Sequence, residues 1–251
     1  MGQAAMAILL HGLTILALTV VTQLGGVAWI IAVIWRRQRR WFWAVFLGSY
    51  VALSAGAVVV APWAGRQVVG CWGDGPVQAA SPIYCALNRS YVTPALAQTL
   101  ADLGTRLQAR HPGTVLRTLD GSFPFTTMPL LPHLSHDDGE KMDLAFYYAD
   151  GARDALRSPL GYFAFEDGPT DCPAALLTLR WDLAWLQPAF RDLPLDATRM
   201  RTLGQLLAAD ARIGKVLLEP HLAARLNLTA PKFRFQGCRA ARYDDHFHIQ
   251  L

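Results

Sequence analysis

No aspartate or glutamate occurs in the 251-residue chain before Asp74, and from Ala4 to Val60 the only sizeable polar feature is a basic cluster, Arg36-Arg37-Gln38-Arg39-Arg40. A stretch with so little polar surface implies two regions that face different solvents. Basic residues before the first apolar run are missing too. That absence, with the length of the run, argues against the competing reading of a cleaved signal peptide, whose apolar region is only about 7–15 residues long and follows basic residues. Beyond the four clustered arginines no basic surplus remains, because the other 19 of the 23 basic residues face 19 acidic ones. The net charge of +4 therefore marks no phosphate-binding surface, and nucleic acid is not an expected partner. Cys-x-x-Cys spacing is absent, which argues against a cysteine metal site, and no internal repeat or low-complexity tract is present.

What is present begins with two apolar runs, roughly Ala4 to Trp35 and Phe42 to about Val60. A helix needs roughly 20 apolar residues to cross a hydrocarbon core, so both read as transmembrane helices and residues 1–63 as a transmembrane hairpin in a lipid bilayer. Trp41, Trp43 and Trp63 flank the second run as aromatic residues flank spans at membrane interfaces. Short loops rich in arginine stay on the cytoplasmic side, which places both ends of the hairpin, and everything after it, outside the cytoplasm. All four cysteines, Cys71, Cys85, Cys172 and Cys238, lie in that outer part, where an oxidising compartment permits disulfides. Cys71 with Cys85 would close a local loop and Cys172 with Cys238 a long one, although four cysteines allow three connectivities.

Residues 64–92 read as a connector and 93–251 as a folded domain. Thr93-Pro94 has the form of a helix cap followed by proline at the first helical position. Leu96, Leu100, Leu103 and Leu107 continue it at helical spacing to His111-Pro112-Gly113. Strands are expected at 114–119, 142–148, 161–165 and 213–218, in the alternating segment Leu177, Leu179, Trp181, Leu183, and at 233–235 and 247–251. Helices are expected at about 196–209, capped by Asp196, and 220–226. Helices and strands without a βαβ rhythm indicate an α+β fold built on a small antiparallel sheet.

Four of the seven histidines fall in two clusters. One is Pro132-His133-Leu134-Ser135-His136-Asp137-Asp138-Gly139-Glu140-Lys141-Met142-Asp143; the other is Tyr243-Asp244-Asp245-His246-Phe247-His248. Catalytic zinc takes three protein ligands from His, Asp or Glu and keeps a fourth position open. On a strand, His246 and His248 project from one face, and His136 and Asp143 can bracket the same point, with Gly139 permitting the turn between them. Either cluster alone is more often a polar surface.

Together, in this order, they resemble the penicillin-insensitive murein endopeptidases, within the wider group of D-alanyl-D-alanine peptidases, lysostaphin-type enzymes and hedgehog domains. The resemblance rests on His133-Leu134-Ser135-His136, Gly139 and Asp143, and on Asp244-Asp245-His246-Phe247-His248. It implies that residues 93–251 form a zinc peptidase domain in which His136, Asp143 and His248 bind Zn²⁺, His246 faces the reacting carbonyl and His133 supports the site. It also implies peptidoglycan peptides as substrates. Joined to the hairpin, which is not part of the usual secreted enzyme, it makes the expected protein a two-pass protein of the bacterial inner membrane with its C-terminal domain in the periplasm or outside the cell. Asp244 and Asp245 are candidates to hold the imidazoles by hydrogen bonds. Where that family generally carries a histidine, this chain has Tyr243, which favours the alternative of a metal- or wall-binding module without turnover. A zinc peptidase with a non-wall substrate is the third possibility.

Overall fold

The computed structural model describes residues 2–35, 39–131, 133–149, 155–169, 172 and 177–251. Arg36, Arg37 and Gln38 of the basic cluster, and Pro132 of the first histidine cluster, lie outside the described residues.

Three apolar helices come first: α1 (Gln3–Thr22), α2 (Gly25–Ile34) and α3 (Phe42–Val60). Two stretches, Gln3–Thr22 and Phe42–Ala64, are long and apolar enough to cross a membrane, and Gly25–Ile34 is not. The first apolar run is therefore not one span. It breaks at Gln23, whose φ is 61°, and α2 folds back on α1 with Gly26 so close that a Cβ there would lie 2.0 Å from Thr19 Oγ1. Trp29 of α2 donates to Nδ1 of His11, midway along α1, at 3.2 Å, and its ring meets Phe42 and Phe46 of α3. Leu24 packs in one cluster with Ala57 and Ala61. These contacts make α1 and α2 antiparallel, and α2 and α3 antiparallel. The start of the chain thus lies at the same end as Arg40, rather than beside the folded domain as a two-helix hairpin would place it.

The rest of the chain forms β1 (Gln67–Val68), β2 (Val77–Ala79), α4 (Pro82–Ala86), β3 (Tyr91–Val92), α5 (Pro94–Arg110), β4 (Leu116–Thr118), β5 (Lys141–Ala145), α6 (Ala197–Ala209), β6 (Lys215–Leu217), α7 (Pro220–Arg225), β7 (Phe233–Arg234) and β8 (His246–Gln250). The main sheet has six strands in the order β2-β4-β5-β8-β6-β7. Its centre is antiparallel, but the outer pairs β2/β4 and β6/β7 are parallel, so the sheet is mixed. Residues 64–92 are more than a connector: they supply the edge strand β2, the pair β1/β3 and the Cys71–Cys85 disulfide.

The helix after Thr93-Pro94 forms as its residues dictate, with Thr93 Oγ1 accepting from Leu96 N at 3.4 Å. Its four leucines are fully buried. Asp196 caps α6 by accepting from Arg199 N at 3.0 Å, and His111 joins the end of α5 to Thr202 of α6 at 2.9 Å. Leucines of α5 and α6 pack with Leu116, Met142, Leu144, Val216, Phe247 and Ile249 of the sheet in one core. At roughly 1.5–3 kcal/mol for each large apolar side chain removed from water, this core fixes the sheet whose opposite face carries the histidines. Two expected strands are absent. Residues 161–165 are irregular, with positive φ at Gly161 and Phe163, and the alternating segment 177–183 runs through turns that leave Leu177, Leu179 and Trp181 exposed. The second disulfide joins Cys172 to Cys238.

Candidate metal centre

Pairing of the two central strands sets Asp143 directly opposite His248. Because side chains alternate, Phe247 and Ile249 enter the core while His246 and His248 share the other face. His136 reaches the same face from the turn after His133. Gly139 lets the chain return to β5: its φ is +78°, and a Cβ there would lie 2.4 Å from Arg66 Nη1.

Three atoms converge. His136 Nε2 is 3.0 Å from His248 Nδ1 and 3.3 Å from Asp143 Oδ1, and His248 Nδ1 is 2.8 Å from the same oxygen. His136 Nδ1 donates to the Gly121 carbonyl at 2.8 Å; a carbonyl only accepts, so Nε2 is the lone-pair nitrogen. His248 Nε2 lies 2.9 Å from Gln250 Nε2; an amide nitrogen only donates, so in this arrangement His248 Nε2 accepts and Nδ1 carries the hydrogen that faces Asp143 Oδ1. Turning the Gln250 amide over would set its oxygen against Nε2–H and free the Nδ1 lone pair for a metal. Two imidazoles and a carboxylate, all fully buried, then face one point. His136, Asp143 and His248 could hold a metal ion.

A second group, His133, Asp143 and His246, shares the carboxylate. Its chemistry differs. His133 Nδ1 faces the Asp120 carboxylate at 3.1 Å, so that nitrogen carries a hydrogen rather than a free lone pair. His246 Nδ1 bonds to Asp245 Oδ1, and its Nε2 is buried with no hydrogen-bond partner. Asp143 Oδ2 accepts from the Tyr162 hydroxyl at 2.6 Å and lies 3.6 Å from His246 Nε2. The two oxygens of one carboxylate thus separate a trio of metal-type donors from a pair of proton-carrying imidazoles.

The electrostatics follow the same division. Burial would raise Asp143, but the charges of His136, His246 and His133 hold it well below the usual carboxylate range. Burial would lower His246, yet Asp143 and Asp245 push it up to about 9. His248 falls to about 4, chiefly through burial. Asp245 holds an imidazole as anticipated. Asp244 does not: it pairs with Arg242, and burial raises it to about 6.

A cleft of about 50 Å³ opens beside His246 and His133, walled by Tyr162, Phe163, Phe165, Leu179, Trp181 and Leu183. Tyr243 is buried, its ring centroid 5.2 Å from that of His246 and 5.6 Å from that of His248. Sequence reasoning missed Tyr162, whose ring meets that of His133 at a tilt and that of His246 edge-on, because it lies in an irregular segment with no motif. It also missed the Arg89–Asp120 pair, joined at 2.7 Å through two bonds; Asp120-Gly121 was visible only as a turn. No protein-family model and no curated protein matches the chain, so the chemistry of the centre stands on its geometry.

Proposed function

We propose that this protein is a zinc peptidase, held in a membrane by α1 and α3, that hydrolyses peptide bonds of peptidoglycan outside the cytoplasm. The carrying observation is the convergence of His136 Nε2, Asp143 Oδ1 and His248 Nδ1 on one point, beside a cleft lined by His246, whose buried Nε2 has no hydrogen-bond partner. Three ligands of this kind are the set that catalytic zinc uses, and zinc bound there would polarise a peptide carbonyl and acidify a water. The protein's own groups supply the rest. Asp245 fixes the His246 ring and, with Asp143, favours its protonated form, so His246 can hold a proton against the oxygen that becomes negative as the carbonyl is attacked. Tyr162 and His133 brace Asp143 Oδ2.

The wall substrate is supported by the resemblance of the two histidine motifs to murein endopeptidases. The membrane is supported by the exposed apolar surface of α1, where Ile8 is 74% and Leu16 60% exposed, since lipid rather than water suits such a face. The arginine cluster places its loop in the cytoplasm, and the two disulfides suit an oxidising compartment. In a bacterium with two membranes the folded domain would face the periplasm.

The test is metal analysis of the full-length protein in detergent, followed by digestion of purified peptidoglycan and mass analysis of the products. About one zinc per chain with released peptides is expected. A chain that retains no metal overturns the proposal. Zinc retention without cleavage favours the binding-module reading, to which Tyr243 against His246 and His248 points.

A further inference from the structure

The apolar helices do more than adjoin the folded domain; two side chains from their ends reach into the loops that carry the metal centre. Gln23, at the break between α1 and α2, grips the loop before His133 with both ends of its amide. Its Oε1 accepts from Phe125 N at 3.1 Å and its Nε2 donates to Thr126 Oγ1 at 2.7 Å. Arg66, just beyond the last turn of the third helix, donates through Nη2 to the Asp137 carbonyl at 3.2 Å, and its guanidinium lies against Gly139. Both side chains belong to buried residues. The turn bearing His133 and His136 is thus held from both sides, at 125–126 by Gln23 of the apolar region and at 137–139 by Arg66, two residues past its last helical turn.

A third connection runs through Asn88. Its amide donates to Thr22 O at 3.4 Å, Tyr50 Oη at 3.1 Å and Ser54 Oγ at 3.1 Å. The next residue, Arg89, binds the Asp120 carboxylate that in turn holds His133. Leu24, Ala57 and Ala61 pack with Tyr91, and Phe125 rests on them. Among the described residues of 123–140, which contain one of the three ligands, none lies in a helix or ladder strand, so their placement depends on contacts such as these clamps.

We infer that Gln23 and Arg66 are positioning residues of the metal centre, and that the apolar helices are part of its frame. The inference rests on the metal-binding reading above. Partners that orient ligands typically change metal affinity about 10- to 100-fold when removed, and a ligand loop held by two polar clamps belongs to that class.

The experiment uses the full chain in lipid nanodiscs and Zn²⁺ alone as the probe. The zinc Kd is read by competition with a chromophoric chelator and the melting temperature is taken on the metal-free protein. Gln23→Met, which keeps size but loses both bonds, and Arg66→Ala should each weaken zinc about 10- to 100-fold. Arg66→Lys, which keeps a cation that can reach the Asp137 carbonyl, should fall between Arg66→Ala and wild type, and it serves as the test should Arg66→Ala not fold. Phe46→Ala, which removes a ring contact between α3 and Trp29 of α2 at the end of the helices away from Gln23, should lower the melting temperature with zinc affinity unchanged. Wild-type zinc affinity in Gln23→Met and the arginine variants overturns this inference and leaves the metal centre standing. Failure of the wild type to bind zinc removes both.

Discussion

Asp143 Oδ1 faces His136 and His248, whereas Oδ2 faces Tyr162, His133 and His246. Two histidines one residue apart therefore have separable roles. His248→Ala should lose metal and activity together, because two ligands do not make a catalytic site. His246→Ala should retain metal and lose roughly 10²- to 10⁴-fold in turnover, the range for removing a general acid or base; metal content and cleavage measured on the same preparations decide it. The metal-free protein carries a pH signature. His246 titrates at about 9 when folded, above its ordinary 6.5. Its contribution to stability is then complete below pH 6.5 and is lost as pH rises through 9. Melting temperatures in chelator should fall across that window, and the fall should shrink in His246→Gln. The histidines were legible because period-two spacing on a strand leaves little choice of face, and because Gly139 marks the turn that returns to Asp143. Tyr162 was not: nothing in local spacing shows that a tyrosine 19 residues after Asp143 bonds to it.

At the scale of elements, α5, α6 and the central strands were legible because caps, leucine periodicity and β-rich composition agree with their packing. Residues 161–165 and 177–183 were misleading for one reason. Their aromatic and alternating residues mimic a strand but have no partner strand; they wall the cleft instead. What holds the second wall is covalent. Cys172–Cys238 spans 66 residues, a closure worth about 4 kcal/mol in the chain-entropy model, and Leu179 N bonds to Arg239 O at 3.0 Å beside it. A Cys172→Ser/Cys238→Ser variant should raise KM for wall peptides while its zinc Kd stays at the wild-type value, since both cysteines lie outside β5, β8 and the turn that carry the ligands. Weakened zinc in that variant would show that the wall and the metal centre are not separable.

Over the whole molecule, the parallel course of α1 and α3 puts the start of α1 and Arg40 at one end and the folded domain at the other. Reporter fusions at the first residues and at Gln38 should report the cytoplasm and a C-terminal fusion the outside. A first-residue fusion that reports the outside contradicts the three-helix arrangement. The reversal relative to a simple hairpin arises at Gln23, a single polar residue whose partners lie more than 100 positions away, beyond the reach of local pattern. A chain beginning at Arg66 would lose the partners of the Asn88 amide, both Gln23 bonds, the Tyr50 bond to the Ala86 carbonyl and the helix contacts of Tyr91. At roughly 1 kcal/mol per net hydrogen bond, and about 2–4 °C per kcal/mol for a domain of this size, it should melt roughly 12–24 °C below the full chain.

Only Gly65 and Arg66 separate the helical turn Ala61–Ala64 from β1, and Arg66 is itself locked against Gly139. The cleft beside the candidate metal centre consequently has no stalk on which to extend. If the protein works as proposed, its radius of action is set by its own rigid dimensions, and any cross-link or stem it cuts must approach the bilayer surface. Distant layers of the wall would lie out of range, and newly exported material close to the membrane would be within it.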